Sequence, residues 1–350
     1  MNRLPVRGPA LVVLGPGKVA LQERSATAPG DGEVLIAPHF VGLCGTDLEI
    51  VKGELDPAYV RYPVVLGHEW SGRVLAVGAR VPDLAPGDGV VVEGIRPCRL
   101  CPPCRSGRTN LCEDVDQLGF TLQGAASPAI TTPWHLVHRI APEVPLTAAA
   151  LIEPGAVVLR GLGEIAIDPG ANVLVVGDGT IALLAAHLVR LWSPGAVTMA
   201  GLRPAQAGLA KAMGVDHFTL DRPATGPYDV VIEAAGSTTA VADALRSAGR
   251  GGQVLLFGIA GHGRTAALPV DDVVNNDLRI RGSFSYTSAA WAQAVRLLNT
   301  GIYQPLPAIT HRVRIEEYTR ALRLLADPAD GPRGKILIDQ TPQLNEPANG

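Results

Sequence analysis

Four cysteines lie within fifteen residues of one another, and their spacing, C-x2-C-x2-C-x7-C, is typical of a metal site. Four thiolates at such short spacings can close a tetrahedral zinc site, which leaves no coordination position for substrate and is therefore structural. An iron–sulfur cluster is an alternative for the same ligands. Four unrelated core cysteines are another alternative, but the Pro- and Arg-rich loop around them disfavours it. The residues are Cys98, Cys101, Cys104 and Cys112.

Arginines surround this loop, so a nucleic-acid-binding zinc knuckle is also considered. The acidic residues Glu113, Asp114 and Asp116 follow at once, and no aromatic residue is interleaved. We therefore interpret the arginines as offsetting the excess negative charge of zinc-bound thiolates. They are Arg96, Arg99, Arg105 and Arg108.

A second group of residues could form an open metal site. Cys44 opens the run CGTDLEI, and His68 and Glu69 lie in VLGHEWSG. Glu153, in IEPG at the predicted junction of two lobes, brings the set to one sulfur, one nitrogen and one or two oxygen donors. A lone Cys or a lone His is more often a core residue. Together these residues predict a catalytic zinc, which takes three protein ligands and leaves a fourth position for water or substrate oxygen.

A glycine-rich segment, GDGTIA at 177–182, follows the apolar run NVLVV and opens the run TIALLAAHLVRLW. Gly177 and Gly179 allow a tight turn and the close approach of a pyrophosphate. Thr180 and Ile181 begin a helix whose N–H groups would bind it. The segment predicts a dinucleotide site, although a strand–helix turn that binds no phosphate has the same pattern.

The elements that must position these residues change character along the chain. From Leu11 to about Ile140, short apolar runs cut by Gly, Pro and Asp predict a β-rich lobe. After Thr147 the composition predicts a helix broken at Glu153–Pro154. Strand and helix patterns then alternate, as in a parallel sheet covered on both faces. The predicted fold class is therefore α/β, with a β-rich domain and a doubly wound domain.

The domain boundaries follow from this change in character. Residues 153–289 form the predicted doubly wound domain, and residues 1–152 and 290–350 form the β-rich domain. The final segment is assigned to the β-rich domain because that lobe has little helix of its own. The last ten residues, 341–350, are predicted to be disordered.

Composition excludes several classes of protein. The 350 residues are 47% apolar and 18% charged, which is typical of a globular chain. A net charge of −3 gives no global attraction to nucleic acid or to anionic membranes. No apolar run approaches the roughly 20 residues that span a bilayer, and the N-terminus lacks a secretory signal. We predict a cytoplasmic protein with neither nucleic acid nor membrane as a partner.

Four motifs in this order, GLCGTD, GHEWSGRVLAVG, the four-cysteine loop and VLVVGDGTIA, resemble the zinc-dependent medium-chain dehydrogenases/reductases. The resemblance covers nearly the whole chain. It implies a GroES-like catalytic domain, a Rossmann cofactor domain and a zinc-held alkoxide that gives hydride to nicotinamide. Two zinc ions per chain are expected, one catalytic and one structural. Relatives of this kind are homodimers or homotetramers.

The resemblance also assigns the metal ligands. Cys44 and His68 match the first two catalytic-zinc ligands, and Glu69 matches a neighbouring glutamate that can exchange in and out of the metal shell. Glu153, followed by proline, matches the third ligand of the sorbitol, threonine and glucose dehydrogenase branches. Whether Glu153 binds zinc directly or through water stays open at this stage.

Two further residues match the proton path of the family. Thr46 matches the hydroxyl residue that accepts the alcohol proton, since a hydroxyl can both donate and accept. Glu49 stands where many relatives have a relay histidine, and in this it resembles the archaeal glucose dehydrogenases. A solvated helix residue is the alternative interpretation of Glu49.

The end of the next strand distinguishes the two nicotinamide cofactors. NAD enzymes generally have Asp or Glu roughly 20 residues beyond the glycines, whereas NADP sites lack that acid and supply Arg. Counting back from the family-like LAKAMG that ends at Gly214 puts Gly201 at the position of the acid and Arg203 two residues later. This pattern resembles the Gly-x-Arg of NADP-using members and favours NADP over NAD. An ordinary surface arginine is the competing interpretation of Arg203.

The leading hypothesis is an NADP-preferring, zinc-dependent dehydrogenase that acts on a secondary hydroxyl of a sugar, polyol or cyclitol. The alternative among enzymes is an NAD-dependent threonine- or simple-alcohol-type dehydrogenase. A non-enzymatic zinc- or nucleic-acid-binding protein on the same scaffold is a third hypothesis. The complete set of candidate site residues argues against it, namely Cys44, His68, Glu153 and Thr46.

Overall fold

The structure, a computed structural model, describes residues 5–220, 228–261, 263–327 and 331–342. The prediction of disorder for 341–350 therefore falls mostly outside the described residues. No helix in the described part of the chain combines the length and the apolar character that a bilayer crossing requires.

The first part of the chain is a lobe of short, mostly antiparallel strands. Its strands are β1 Val6–Gly15, β2 Lys18–Ala26, β3 Glu33–Leu43, β4 Val64–Val65, β5 Glu69–Val77, β6 Gly89–Val92, β7 Ile95–Arg96, β8 Asp116–Gln117, β9 Ile130–Pro133 and β10 Val137–Arg139. Its helices are α1 Gly45–Lys52, α2 Pro102–Arg105 and α3 Leu146–Ala149.

The second part alternates strands and helices. Its helices are α4 Ile152–Leu162, α5 Thr180–Leu188, α6 Ala207–Ala212, α7 Thr238–Ser247, α8 Val270–Asn275 and α9 Ser288–Asn299. Its strands are β11 Asn172–Val176, β12 Ala196–Ala200, β13 His217–Thr219, β14 Tyr228–Glu233, β15 Ala248–Leu256 and β16 Arg279–Gly282. These strands are all parallel, in the order β13-β12-β11-β14-β15-β16. This is the 3-2-1-4-5-6 order of a doubly wound dinucleotide-binding sheet, so the predicted α/β class is confirmed.

The chain then returns to the first lobe through β17 Ile309–Arg314, α10 Tyr318–Ala326 and β18 Lys335–Asp339. The main sheet of that lobe has the order β10-β6-β5-β3-β18-β17, and β9 also pairs with β3. Strand β18 therefore lies between β3, to which it is antiparallel, and β17, to which it is parallel. The exact limits 1–152, 153–289 and 290–350 stay a prediction.

Helix α4 corrects one expectation. It begins at Ile152 and continues through Glu153 and Pro154, so the predicted break at Glu153–Pro154 is wrong. A proline in the first turn of a helix removes only an N–H group that has no intrahelical partner there, so the helix tolerates it. Helix α4 packs on β5 of the first lobe and on α5 of the second, which places Glu153 between the two lobes.

Apolar packing also joins the lobes. One cluster of buried side chains extends from Phe40 and Val91 in the first sheet, through Leu159 on α4, to Val175 in the parallel sheet. Burial of this continuous apolar surface stabilises the whole molecule, and it holds the residues at the junction of the lobes in place.

Candidate active site and zinc sites

The four-cysteine loop brings its sulfur atoms together. The Sγ atoms of all four cysteines lie within 4.8 Å of one another. The backbone N–H groups of Cys101 and Leu100 lower the pKa of the Cys98 thiol to about 7. Burial and the neighbouring Cys101 thiol raise the pKa of Cys104 to about 12. A cation among the four sulfurs would allow all of them to be thiolates, so the donor set fits a closed zinc site.

We expect Cys112→Ser to lower the zinc content by about one ion per chain, because a closed site loses its metal when one thiolate is removed. We expect a loss of about 2 kcal/mol of folding free energy, which in a chain of 350 residues corresponds to a fall in Tm of roughly 3 °C. Elemental analysis and calorimetry measure the two effects. Ser106→Ala, an exposed hydroxyl in the same loop, is the control and should keep both values. Unchanged zinc content in Cys112→Ser would contradict the structural-site assignment.

The predicted ligands of the open site meet at His68 in two groups, with Cys44 in one and Glu69 and Glu153 in the other. Cys44 is the residue that precedes α1, and its Sγ lies 3.3 Å from Nε2 of His68. A zinc ion with ordinary bond lengths of about 2.3 Å to sulfur and 2.0–2.1 Å to nitrogen would hold tetrahedral S and N ligands about 3.6 Å apart. The spacing of these two atoms therefore fits a shared zinc ion.

Asp47 lies behind His68 and was missed by the sequence reasoning. It is fully buried, its Oδ1 lies 3.6 Å from Nδ1 of His68, and its Oδ2 accepts the backbone N–H of Cys44 at 2.9 Å. A carboxylate in this position fixes the tautomer and the orientation of a metal-binding histidine. The sequence does contain a pattern that could have identified Asp47. It stands three residues after Cys44, the residue that precedes α1, and a carboxylate at that spacing is typical of a capping box.

Two buried carboxylates face the same histidine. Ligand atoms of His68, Glu69 and Glu153 lie within 4.8 Å of one another, as do those of Cys44, Asp47 and His68. Glu153 is only 8% exposed. Burial and then the neighbouring Glu69 carboxylate raise the pKa of Glu153 to about 7. A cation would relieve this concentration of buried negative charge, so sulfur, nitrogen and oxygen donors grouped around His68 fit a zinc site.

Lys335 is the buried cation of this cluster. Its Nζ lies 2.8 Å from Oε1 and 2.5 Å from Oε2 of Glu69, and it donates to the carbonyl of Leu43 at 3.1 Å. Burial alone would lower the pKa of Lys335, but Glu69 and Cys44 raise it above its ordinary value. Sequence reasoning missed this residue because it lies 266 residues from Glu69 along the chain.

Thr46 and Glu49 lie on α1, three residues apart and therefore on the same face of the helix. Both side chains are half-buried. Burial and then Glu54 raise the pKa of Glu49 above its ordinary value. Glu49 lies outside the ligand groups that surround His68. A hydroxyl next to Cys44 and a carboxylate further along the same helix could move a proton outward, and these two roles stay a prediction.

The glycine-rich segment lies at the carboxyl end of β11. Gly177 has a φ of +117°, and a Cβ there would meet the backbone N of Ala235 at 2.9 Å, so only glycine fits. Gly179 precedes α5, which has no side-chain cap, and the space beside its Cα is open. The N–H groups of Thr180 and Ile181 at this helix terminus therefore suit a pyrophosphate. Strand order reverses at β11, which is where such sheets bind dinucleotides.

Asp178 fills the place that a side chain at Gly201 would need. A Cβ at Gly201 would meet the Cβ of Asp178 at 2.9 Å and the Phe218 ring at 2.7 Å. Oδ2 of Asp178 accepts the N–H groups of Leu202 at 2.9 Å and Arg203 at 3.1 Å. Its Oδ1 pairs with the Arg203 guanidinium. Sequence reasoning missed this carboxylate, which is 7% exposed.

These contacts change the interpretation of Arg203. Its side chain is not free on the surface but folds onto the glycine-rich loop through Asp178. Its Nε is a buried donor with no acceptor among the described residues. Such a donor suits an additional anion at the end of β12, and its role in cofactor choice stays a prediction.

Comparison with known proteins identifies the family. Residues 30–142 match the model of the alcohol dehydrogenase GroES-like domain, and residues 179–300 match that of the zinc-binding dehydrogenase domain. The L-galactonate-5-dehydrogenase of Escherichia coli K12 is 32% identical over 318 residues, which cover 86% of this chain and 90% of that protein. The sorbitol dehydrogenase of Halalkalibacterium halodurans is 31% identical over 93% of this chain and 96% of its own length. The chain belongs to the zinc-dependent medium-chain dehydrogenases.

A solved structure agrees with this assignment. A zinc-binding dehydrogenase of Sinorhizobium meliloti 1021 bound to NADP superposes with a TM-score of 0.88 at 27% identity, over 95% of this chain and 99% of that one. The predicted GroES-like and Rossmann domains are thereby confirmed. The dehydrogenase is an enzyme of the zinc-dependent alcohol dehydrogenase type, and it uses a nicotinamide cofactor.

Proposed function

We propose that this dehydrogenase oxidises a secondary hydroxyl of a sugar, polyol or cyclitol with NADP. The observation that carries the proposal is the position of Glu153, whose carboxylate lies beside His68 and Glu69 and which matches the third ligand of the sorbitol and glucose dehydrogenase branches. A substrate with several hydroxyl groups can form more hydrogen bonds to a polar site of this kind than a bare alkyl alcohol can. The similarity to a sorbitol dehydrogenase and to an L-galactonate-5-dehydrogenase supports the same substrate class.

The residues of the site divide the chemistry between them. Cys44, His68 and Glu153 would hold the catalytic zinc, which when bound supplies the Lewis acid that lowers the pKa of the substrate hydroxyl. Thr46 accepts the proton of that hydroxyl, and Glu49 on the same helix face passes it towards solvent. Asp47 orients the His68 ring.

The cofactor would lie along the carboxyl end of the parallel sheet. When bound, its nicotinamide supplies the hydride acceptor, and the N–H groups of Thr180 and Ile181 bind its pyrophosphate. Arg203 at the end of β12 favours the 2′-phosphate of NADP over a bare ribose hydroxyl.

The proposal includes two zinc ions per chain and a homo-oligomer. The four-cysteine loop and the cluster around His68 use different residues, which supports two ions.

Strand β16 is an edge of the parallel sheet, and apolar side chains are exposed beside it, among them Val274, Ile280 and Phe284. An open edge with such side chains is typical of a surface that pairs with a second copy.

A substrate panel tests the proposed function. With zinc-loaded enzyme we expect kcat/KM to be at least roughly 10-fold higher for one of sorbitol, myo-inositol or an aldonate than for 2-propanol, since one or two added hydrogen bonds correspond to such a factor. NADP should be the better cofactor, and reduction is followed at 340 nm. Efficient oxidation of 2-propanol or L-threonine, with no turnover of polyhydroxylated compounds by either cofactor, would show that the substrate class is wrong.

A further inference from the structure

The segment that leads into β18 lies against the glycine-rich loop of the other lobe. Gln206, which is fully buried, connects the two. Its Nε2 donates to the carbonyl of Asp178 and, at 2.9 Å, to the carbonyl of Arg333. Its Oε1 accepts the N–H of Arg333 at 2.5 Å. The backbone of Arg333 is therefore tied to the turn that carries Asp178.

An arginine lies on each side of the contact that Gln206 makes. Arg203 is held by Asp178, and Arg333 donates to the carbonyl of Leu325. Burial and then the positive charge of Arg203 lower the pKa of Arg333, which the carboxylates of Asp178 and Asp327 offset only in part. Arg203 and Arg333 place positive charge on both sides of the turn that carries Asp178, which is typical of a site that receives an anion.

The position of this pair indicates which anion. Arg203 lies three residues after β12, at the end of the strand where dinucleotide-binding sheets hold the adenosine ribose, whereas the pyrophosphate lies at the start of α5. A phosphate monoester offers three terminal oxygens, enough to accept bonds from two guanidinium groups. The buried Nε of Arg203, which has no acceptor among the described residues, would be one of those donors.

We propose that Arg333 binds the 2′-phosphate of NADP together with Arg203. The preference for NADP over NAD then depends on residues of both lobes. Arg203 belongs to the dinucleotide-binding lobe, and Arg333 belongs to the segment that leads into β18 of the catalytic lobe. The inference rests on the NADP preference proposed above. A ribose with a free 2′-hydroxyl would leave the two guanidinium groups with only the partial counter-charge that Asp178 and Asp327 supply.

The test uses binding of two cofactor fragments to the full-length enzyme, measured by titration calorimetry. Adenosine 2′,5′-bisphosphate carries the 2′-phosphate, and 5′-AMP lacks it. We expect wild type to prefer the bisphosphate. Arg333→Gln should raise its Kd roughly 10-fold or more and leave that of 5′-AMP within about 2-fold, because one charge-assisted contact is lost. Gln206 bonds to backbone atoms of Arg333, so the substitution leaves those bonds in place.

Three variants make the result interpretable. Arg203→Gln should show the same selective loss of bisphosphate binding, and Arg333→Lys should retain part of the preference. Arg320 is an exposed arginine paired with Glu317, so Arg320→Gln makes the same change in net charge and should behave like wild type. If wild type binds both fragments equally, the NADP preference itself is wrong, and the Arg333 role with it. If Arg203→Gln loses the preference and Arg333→Gln keeps it, only the Arg333 role is wrong. An equal loss for both fragments in Arg333→Gln would also overturn that role.

Discussion

Cys44→Ser is expected to lose at least about 10³-fold in kcat/KM, a change of about 4 kcal/mol in the activation free energy, because serine is a poor zinc ligand at neutral pH. Binding of NADP should persist, since Gly179, Thr180 and Arg203 lie on the other lobe. The fold should persist as well, because serine is a good residue to precede a helix and Cys44 directly precedes α1. Steady-state kinetics, NADP titration and urea denaturation measure the three properties.

Cys112→Ser is the matched comparison, because it makes the same chemical change in the other cysteine group. It should lower stability, whereas Cys44→Ser should lower turnover. Ser106→Ala, the exposed hydroxyl in the four-cysteine loop, is a control for both cysteine substitutions and should retain wild-type kinetics. Retention of more than about a tenth of the wild-type kcat/KM by Cys44→Ser would rule out a zinc ion bound through this thiolate.

Lys335→Met is expected to lower the free energy of unfolding by about 3–5 kcal/mol, the usual cost of leaving one member of a buried ion pair without its partner. Glu69 is 2% exposed, and its carboxylate would remain buried beside Glu153 without its neighbouring ammonium group. Methionine has nearly the same length as lysine, so the change removes charge more than volume. Urea denaturation measures the loss.

A double substitution separates charge from packing. Lys335→Met combined with Glu69→Gln removes both charges and should recover most of the stability lost by the single change. Arg320→Met, which breaks the exposed pair with Glu317, should change stability by less than about 1 kcal/mol. A loss below about 1 kcal/mol in Lys335→Met, or no recovery in the double variant, would contradict the assigned importance of the buried pair.

The parts of the site that were predictable from the sequence are local. The spacing from Cys98 to Cys112 and the glycines at 177 and 179 lie within single loops, so their geometry follows from short stretches of chain. The break assigned to Glu153–Pro154 was wrong because sequence alone does not tell a proline in the first turn of a helix from one in its interior.

The parts that were missed depend on contacts between distant segments. The final segment was assigned to the β-rich domain, but the partner and register of its last strand, β18, were not predicted. These decide that Lys335 points at Glu69 and not at solvent. Asp178 and Gln206 were missed for the same reason. A carboxylate in a glycine-rich turn and a glutamine before a helix gain their roles only when β12 and the segment at Arg333 are placed beside them.

The position of β18 near the end of the chain determines when, during synthesis, the main sheet of the first lobe can be completed. The ribosome synthesises β3 and the whole dinucleotide-binding lobe before β18, which is separated from β3 by 292 residues at the Leu43–Lys335 contact. Until β18 emerges, residues 40–43 form an open sheet edge directly before Cys44, and Glu69 lacks its counter-charge. A nascent or truncated chain that stops short of Lys335 therefore holds all the predicted metal ligands in an incomplete sheet, and catalytic competence is acquired late in translation.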